Sequence, residues 1–502
     1  MRNVLEYLEA AYLKAPEKMA YASETDSLTF RQVYMQARSV GTVLLKDGLY
    51  KKPVVVFMEK SPQTITAFLG VVYAGCYYVP VDEEMPSYRM ELIFKTLSPQ
   101  AVICDKATTD RLYKMGYQGQ VYLYEQISAT PQDTKALSAV REKSIDTDAL
   151  YIVFTSGSTG IPKGVVACHR SVIDYIENLS AVLQVSEDTV FGNQAPLYVD
   201  ACLKEIYPTL KFAATAYLIP KQLFMFPVKL VEFINAHQIN TICWVVPALT
   251  MISGLGAFEK AVPSSLKTIA FGSEVFPARQ LALWRKYVPN ARYINLYGPT
   301  EATGMSCYYV VDREFKEDEV IPIGRPFPNT GILLLNEGGK EVTQGEKGEI
   351  CIRGTAVTMG YYRQPEKTAG NFVQNPLNKD YPEIIYKTGD LGYYNDRGEL
   401  MFASRKDYQI KHMGHRIELG EIEGNVNCME KIAGGCCIYD EEKKKIVLFY
   451  AGEVQPAEVL AFLKERLPRY MVPGVLRQVD RLPLTLNGKV DRMKLKEMYA
   501  GE

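Results

Sequence analysis

Histidine is scarce in this chain. Only His169, His237, His412 and His415 are present, too dispersed for a metal site built on imidazole. Ten cysteines occur, but none forms a Cys-x-x-Cys pair, and adjacent Cys436 and Cys437 sit in an apolar, strand-like run. Thiols scattered in this way suit a reducing, cytoplasmic setting and argue against a disulfide framework or a zinc site. No apolar run approaches the roughly 20 residues a membrane span needs. The N-terminus, MRNVLEYLEAAYLKAPEK, is too charged for a secretory signal and reads as an amphipathic helix. Neither charge is in excess. The 57 Lys and Arg face 58 Asp and Glu, which removes any electrostatic reason to expect a nucleic-acid or membrane partner. No Ser-His or Cys-His pair stands out as covalent machinery.

What is present is an ordinary globular composition, 47% apolar and 23% charged, spread over 502 residues. That length exceeds one core, since a domain takes roughly 100–200 residues. Apolar runs at 53–57, 76–82, 101–104, 121–123 and 149–154 read as strands, separated by helical patterns such as the one at 68–74, which Gly75 stops. The stretch 126–148 is polar and reads as a surface connection. The alternation resumes with helices at 172–183, 203–210 and 227–236 and strands at 190–191, 215–219, 241–246 and 266–271. Strand, helix, strand at this spacing argues an α/β fold with largely parallel sheets. After about residue 320 the texture turns to β. A boundary at 406–408 divides a large domain, 1–406, from a smaller α+β domain, 407–502.

Three stretches carry chemistry. The first is Thr155-Ser156-Gly157-Ser158-Thr159-Gly160-Ile161-Pro162-Lys163-Gly164, directly after a buried strand. Small residues let the backbone curl round an anion, while N–H groups, hydroxyls and one lysine act as donors. It is not the nucleotide-triphosphatase P-loop, which needs Gly-Lys-Ser/Thr opening a helix. Composition alone also allows a surface loop. The second is Asn295-Leu296-Tyr297-Gly298-Pro299-Thr300-Glu301. Here a strand stops at Gly-Pro and leaves a ring and a carboxylate at its carboxyl end, where ligands bind in α/β sheets; a turn with a solvated glutamate is the plainer alternative. The third is Tyr386-Lys387-Thr388-Gly389-Asp390, whose aspartate either accepts from ribose hydroxyls or caps a turn. Lys489, in Asn487-Gly488-Lys489-Val490, sits on a glycine-containing loop where most lysines are solvated.

With LPRYMVP and NGKVDR near the C-terminus, these motifs resemble those of the adenylate-forming superfamily: acyl-CoA synthetases, luciferases and nonribosomal peptide synthetase adenylation domains. They run in that family's order over nearly the whole chain and look most like its amino-acid-activating branch. The layout also resembles the D-alanine–carrier protein ligases. The resemblance implies a large multi-sheet N-terminal domain with a β-rich subdomain, and a small, mobile C-terminal α+β domain. It implies ATP as substrate and Mg²⁺ as cofactor. Thr155, Ser156, Gly157, Ser158, Thr159, Gly160 and Lys163 would grip phosphates. Gly272, Ser273, Glu274, Asn295, Leu296 and Gly298 would surround the adenine, with Tyr297 against its face. Thr300 and Glu301 would meet phosphate and metal, and Asp390 and Arg405 the ribose. Asp407 would be the hinge, and Lys489 would enter from the small domain for the first half-reaction.

The implied reaction makes an aminoacyl-adenylate with release of pyrophosphate. The aminoacyl group then passes to the phosphopantetheine thiol of a carrier protein. No recognisable carrier domain follows NGKVDR, so either the acceptor is a separate protein or the natural chain continues past residue 502; a monomeric enzyme is expected. A D-alanine–carrier protein ligase, an acyl- or aryl-CoA ligase, and a catalytically dead ATP-binding protein are the alternatives. Asp200 matches the aspartate that pairs with a substrate ammonium. The usual Phe-Asp-x-Ser reads Val199-Asp200-Ala201-Cys202 here, with Tyr198 one place early as the aromatic. By motif offset the remaining wall is Ala201, Lys204, Ala248, Ile269, Phe271, Leu296, Gly304 and Met305, in which Phe271 and Met305 shorten the pocket. Lys204 lies one helical turn after Asp200. It pairs with that aspartate, meets an acidic substrate or points to solvent. A small or acidic amino acid follows.

Overall fold

The computed structural model describes residues 1–157, 160–485 and 490–500. They divide into two compact units: residues 1–83, 99–153 and 165–406 form one, and residues 84–98, 154–164 and 407–502 the other. Two segments that precede residue 406 thus group with the C-terminal stretch.

The first unit is α/β. Among the described residues, one sheet runs Gln120–Leu123, Ala101–Cys104, Pro53–Phe57, Tyr77–Pro80, Ala149–Thr155, Lys163–Cys168 in spatial order. Its first five strands pair in parallel. The run Val54-Val55-Val56 is apolar on both faces because a parallel sheet is covered on both sides. The helix Pro62–Tyr73 supplies one crossover. Ser61 caps its N-terminus by accepting from the Thr64 amide, and Pro62 follows at the first helical position, where a missing N–H costs nothing. Gly75, with φ +68°, ends it.

A nine-stranded sheet carries most of the remaining apolar surface. Its order is Arg325–Pro326, Cys307–Val310, Arg292–Tyr297, Thr268–Gly272, Thr241–Val245, Val190–Asn193, Thr215–Leu218, Met19–Ala22, Ser27–Thr29. The three strands at 241–297 pair in parallel with Val245, Gly272 and Leu296 in register. A third, antiparallel sheet, built on Thr330–Leu335, Gly348–Gly354 and Ile384–Tyr394, is the β-rich part anticipated after residue 320. The polar stretch 126–148 is not a bare connection. Asp133 caps a helix, Thr134–Lys143, which buries Leu137. One apolar contact per three turns is too little periodicity to announce a helix from sequence.

The second unit is α+β. The hairpin Gln409–His412 and His415–Glu418 leads into the helix Leu419–Val426, and the strands Ile432–Asp440, Lys445–Gly452 and Val475–Val479 form its sheet. Ile417, Ile422, Leu448, Val459 and Leu463 share its core. Among the described residues no helix is long and apolar enough to cross a membrane.

Candidate active site

In the first unit, the second motif, at the carboxyl end of the strand Arg292–Tyr297, meets the third, which lies within the antiparallel strand Ile384–Tyr394. Gly272 ends the strand Thr268–Gly272, where an added Cβ would lie 2.3 Å from the Leu296 carbonyl oxygen, so only glycine fits. Ser273 follows with φ +71°. Asn295 is buried and donates through Nδ2 to the Pro322 carbonyl at 2.9 Å. Tyr297 is buried too, and its hydroxyl donates to Asp390 Oδ2 at 2.5 Å. The Arg405 guanidinium holds the other oxygen of Asp390. Two residues separated widely in sequence, Tyr297 and Arg405, thus converge on the one carboxylate of Asp390. Nearby, Glu349 accepts from the Gly389 amide at 3.1 Å and pairs with Lys406 at 3.1 Å, fixing the chain just before Asp407.

Glu301 is fully buried and accepts from the Tyr361 hydroxyl at 2.9 Å. A single hard carboxylate suits Mg²⁺, which keeps most of its positions for phosphate and water. No cluster of three or more His, Cys, Asp or Glu side chains suited to a metal occurs among the described residues. Thr300 does not stand alone beside Glu301: its hydroxyl donates to Asp200 Oδ1 at 3.1 Å. Burial pushes the Asp200 carboxyl up, opposed by the Thr300 hydrogen bond and by Lys204, and reinforced by the charge of Glu301.

Lys204 is buried, so its solvent-facing reading does not hold. Its charge lowers the carboxyls of both Asp200 and Glu205. Glu205 has no exposed surface and accepts from Asn193 Nδ2 at 3.2 Å. Burial raises it to about 7. Lys60 donates to the Asn193 and Gln194 carbonyls, each at 3.3 Å, and burial lowers it to about 8. A buried charge persists only with such partners.

In the second unit lies the hydroxyl-rich turn. Gly157 is held so close to Ile161 that an added Cβ would sit 2.1 Å from its carbonyl oxygen. Ser156 donates to the Arg416 carbonyl at 2.9 Å, the Gly157 amide donates to Glu421 Oε2 at 3.2 Å, and Lys163 pairs with Glu418 at 3.8 Å. Thr155 Oγ1 is buried with no hydrogen-bond partner among the described residues. Ser158, Thr159 and Lys489 lie outside the described residues.

A family model described as AMP-binding enzyme matches residues 8–362. The chain belongs to the AMP-binding enzyme family. This AMP-binding enzyme is 31% identical over 502 residues to gramicidin S synthase 1 of Brevibacillus brevis, covering 99% of the chain but 44% of that protein. It spans less than half the length of the curated relatives it matches most significantly. Among solved structures, the Vibrio cholerae adenylation domain AlmE, in complex with glycyl-adenosine-5′-phosphate, matches with TM-score 0.86 at 20% identity, over 100% of this chain and 98% of that one. The artificially fused adenylation–PCP di-domain NpsA-ThdA from Klebsiella oxytoca matches with TM-score 0.81 at 19% identity, over 100% and 97%. The fold is the adenylate-forming one.

Strand alternation divides the expected pocket wall of this AMP-binding enzyme between two cores. Ala248, Ile269 and Phe271 belong to one core, where Phe271 packs on Phe276 with ring centroids 4.7 Å apart. Leu296 and Met305 belong to the other core, with Cys202, Cys243, Ala270 and Tyr175, and Ala201 packs against it. Successive side chains of a strand point to opposite faces, so Ala270, not Ile269 or Phe271, shares the face of Leu296. The expected wall residues therefore divide between two faces, and Phe271 does not lie on the face of Leu296. Gly304, with φ +94°, lies against Tyr175, where an added Cβ would be 3.0 Å from the ring. Glu205, Asn193, Tyr361 and Lys60 carried no motif in the sequence. The one signal for Glu205 was a second charged residue, beside Lys204, at the start of a largely apolar helix.

Proposed function

We propose that this AMP-binding enzyme activates a small or acidic amino acid with ATP and Mg²⁺ and transfers it to the phosphopantetheine thiol of a carrier protein. The observation that carries the reading is Asp200, a carboxylate held by Thr300 and facing charged groups at the end of an apolar wall. A substrate ammonium would supply it with a counter-charge. Met305, on the face of Leu296, favours a short side chain, and the buried Lys204 favours an acidic one. The di-domain relationship of NpsA-ThdA supports a carrier partner. We further propose a cytoplasmic, monomeric enzyme whose residues 407–502 turn about Asp407.

The chemistry follows from the charges. A carboxylate oxygen of the amino acid attacks the ATP α-phosphorus and the bond to the β-phosphate breaks. Aminoacyl-AMP and pyrophosphate result. Two anions must meet, so cationic groups and fixed positions are required. Thr155, Ser156, Gly157, Ser158, Thr159, Gly160 and Lys163 would hold the departing phosphates. Gly272, Ser273, Glu274 and Tyr297 would take the base, and Asp390 with Arg405 the ribose. Lys489 would offset charge at the α-phosphate. Mg²⁺, held by Glu301, would neutralise phosphate charge. In the second half-reaction the thiol sulfur attacks the acyl carbon, AMP leaves, and the thiol proton is lost. No protein nucleophile takes part.

The test is ATP–pyrophosphate exchange across the standard amino acids, D-alanine, and fatty and aromatic acids. Exchange with one small or acidic amino acid is expected. Turnover with a fatty or aromatic acid alone would move the chain to the acyl- or aryl-CoA ligases, and preference for D-alanine to the carrier protein ligases.

A further inference from the structure

Tyr21, Tyr78, Tyr151, Tyr175 and Tyr207 lie together in one core of the first unit, all buried. Three of their hydroxyls are satisfied. Tyr21 donates to the Ile206 carbonyl at 2.8 Å, and the Tyr78 and Tyr207 hydroxyls hydrogen-bond each other at 3.1 Å. The hydroxyls of Tyr151 and Tyr175 have no partner among the described residues. A buried, unpaired hydroxyl is uncommon and unfavourable. Here the two unpaired ones both stand beside Asp200. Burial, and after it the charge of Asp200, pushes both phenols up, so both keep their protons to donate. Tyr175 and Lys204 share Glu205 and Cys243 as further neighbours.

Tyr175, on the helix His169–Leu183, lies against Gly304, where an added Cβ would be 3.1 Å from its hydroxyl oxygen. The ring thus takes the room of a side chain at 304, in the core that also holds Leu296 and Met305. The Met305 amide faces the phenol oxygen outside hydrogen-bond geometry, which leaves the O–H without an acceptor. Charge points the same way. With Asp200 given to a substrate ammonium, the buried Lys204 is left with Glu205, whose carboxyl burial raises to about 7. A carboxylate on the substrate side chain would balance that lysine. It only accepts hydrogen bonds, and a phenol and an ammonium are donors suited to it.

We propose that Tyr175 and Tyr151 are specificity-determining residues whose hydroxyls, with the Lys204 ammonium, hold the side-chain carboxylate of an acidic amino acid. The inference rests on reading Asp200 as the partner of the substrate ammonium. It narrows the substrate from small or acidic to acidic. It also places one reader of that side chain on a helix, His169–Leu183, that carries none of the sequence motifs.

The full chain tests this by ATP–pyrophosphate exchange with aspartate, glutamate, their amides and the other standard amino acids. Wild type is expected to use one of the two acids and to favour it over its own amide. Tyr175→Phe should raise the KM for that acid about 10-fold to 100-fold, as loss of one hydrogen bond to a charged group predicts. Its kcat and its KM for ATP should stay within about twofold. Tyr151→Phe should behave alike. Neither variant should melt at a lower temperature than wild type, since each removes an unpaired hydroxyl from the unliganded core; a merely structural role would lower it. An unchanged KM for the acid in both variants overturns the assignment, as does an equal loss on the acid and its amide. A wild type that exchanges only with uncharged amino acids overturns it too, while leaving Asp200 with its ammonium. No exchange with any amino acid overturns instead the reading of Asp200 on which the assignment rests.

Discussion

Glu205 and His169 make opposite demands on pH. Burial raises the Glu205 carboxyl from 4.5 to about 7, so the folded chain holds that proton longer than the unfolded chain does. Its contribution to stability is complete below pH 4.5 and is lost as pH rises through 7. Burial lowers His169 from 6.5 to about 4. There the unfolded chain takes the proton first, so stability is lost as pH falls from 6.5 through 4. Each effect is worth about 2–3 kcal/mol for a fully buried group, and over the shared window they cancel. Glu205→Gln should therefore make stability rise with pH between 4.5 and 6.5 more steeply than in wild type. His169→Gln should make it fall. Denaturant unfolding at stepped pH reads both slopes, and parallel profiles for all three proteins would contradict the burial-driven shifts.

At the scale of elements, the glycines at the strand ends set how closely the backbones approach. At Gly298 an added Cβ would lie 2.3 Å from the Gly304 carbonyl oxygen and 2.5 Å from Met305 Cα. Both are main-chain atoms that cannot swing aside. Gly298→Ala should cost about 1–3 kcal/mol, the usual cost of overpacking, and raise the KM for ATP. An unchanged melting temperature would contradict the close approach. The apolar strands and the helix Pro227–Ala236 were legible in the sequence because their periodicity and β-branched content leave little choice. The strand that stops at Gly298 was legible because Gly-Pro ends it, whereas Asp390 lies within the strand Ile384–Tyr394. The facing of Phe271 and Ala270 was not, since a fully apolar strand shows no alternation to count and a one-residue slip exchanges its two faces. Nor was the ion pair of Arg89 with Glu421, whose partners are distant in sequence and carry no pattern.

Across the whole molecule, the balanced charge of the chain offers no long-range steering, so the proposed recognition of an anionic nucleotide and a zwitterionic acid would rest on local groups. The first unit gathers Tyr297, Asp390 and Arg405 around one point, and Asp200, Thr300, Lys204 and Glu205 around another. In the proposed function Asp200 is the group that separates an amino-acid substrate from a simple carboxylic acid. The most direct measurement compares wild type with Asp200→Asn in ATP–pyrophosphate exchange, using the preferred amino acid and its analogue without the amino group. Loss of the counter-charge should lower kcat/KM for the amino acid by about 100-fold, as breaking an enclosed charge pair does. The KM for ATP should stay within about twofold, because Asp200 is not assigned to the nucleotide. Wild type should discriminate strongly against the analogue. An Asp200→Asn enzyme that uses the amino acid as well as wild type, or a wild type that accepts both acids equally, would contradict the account.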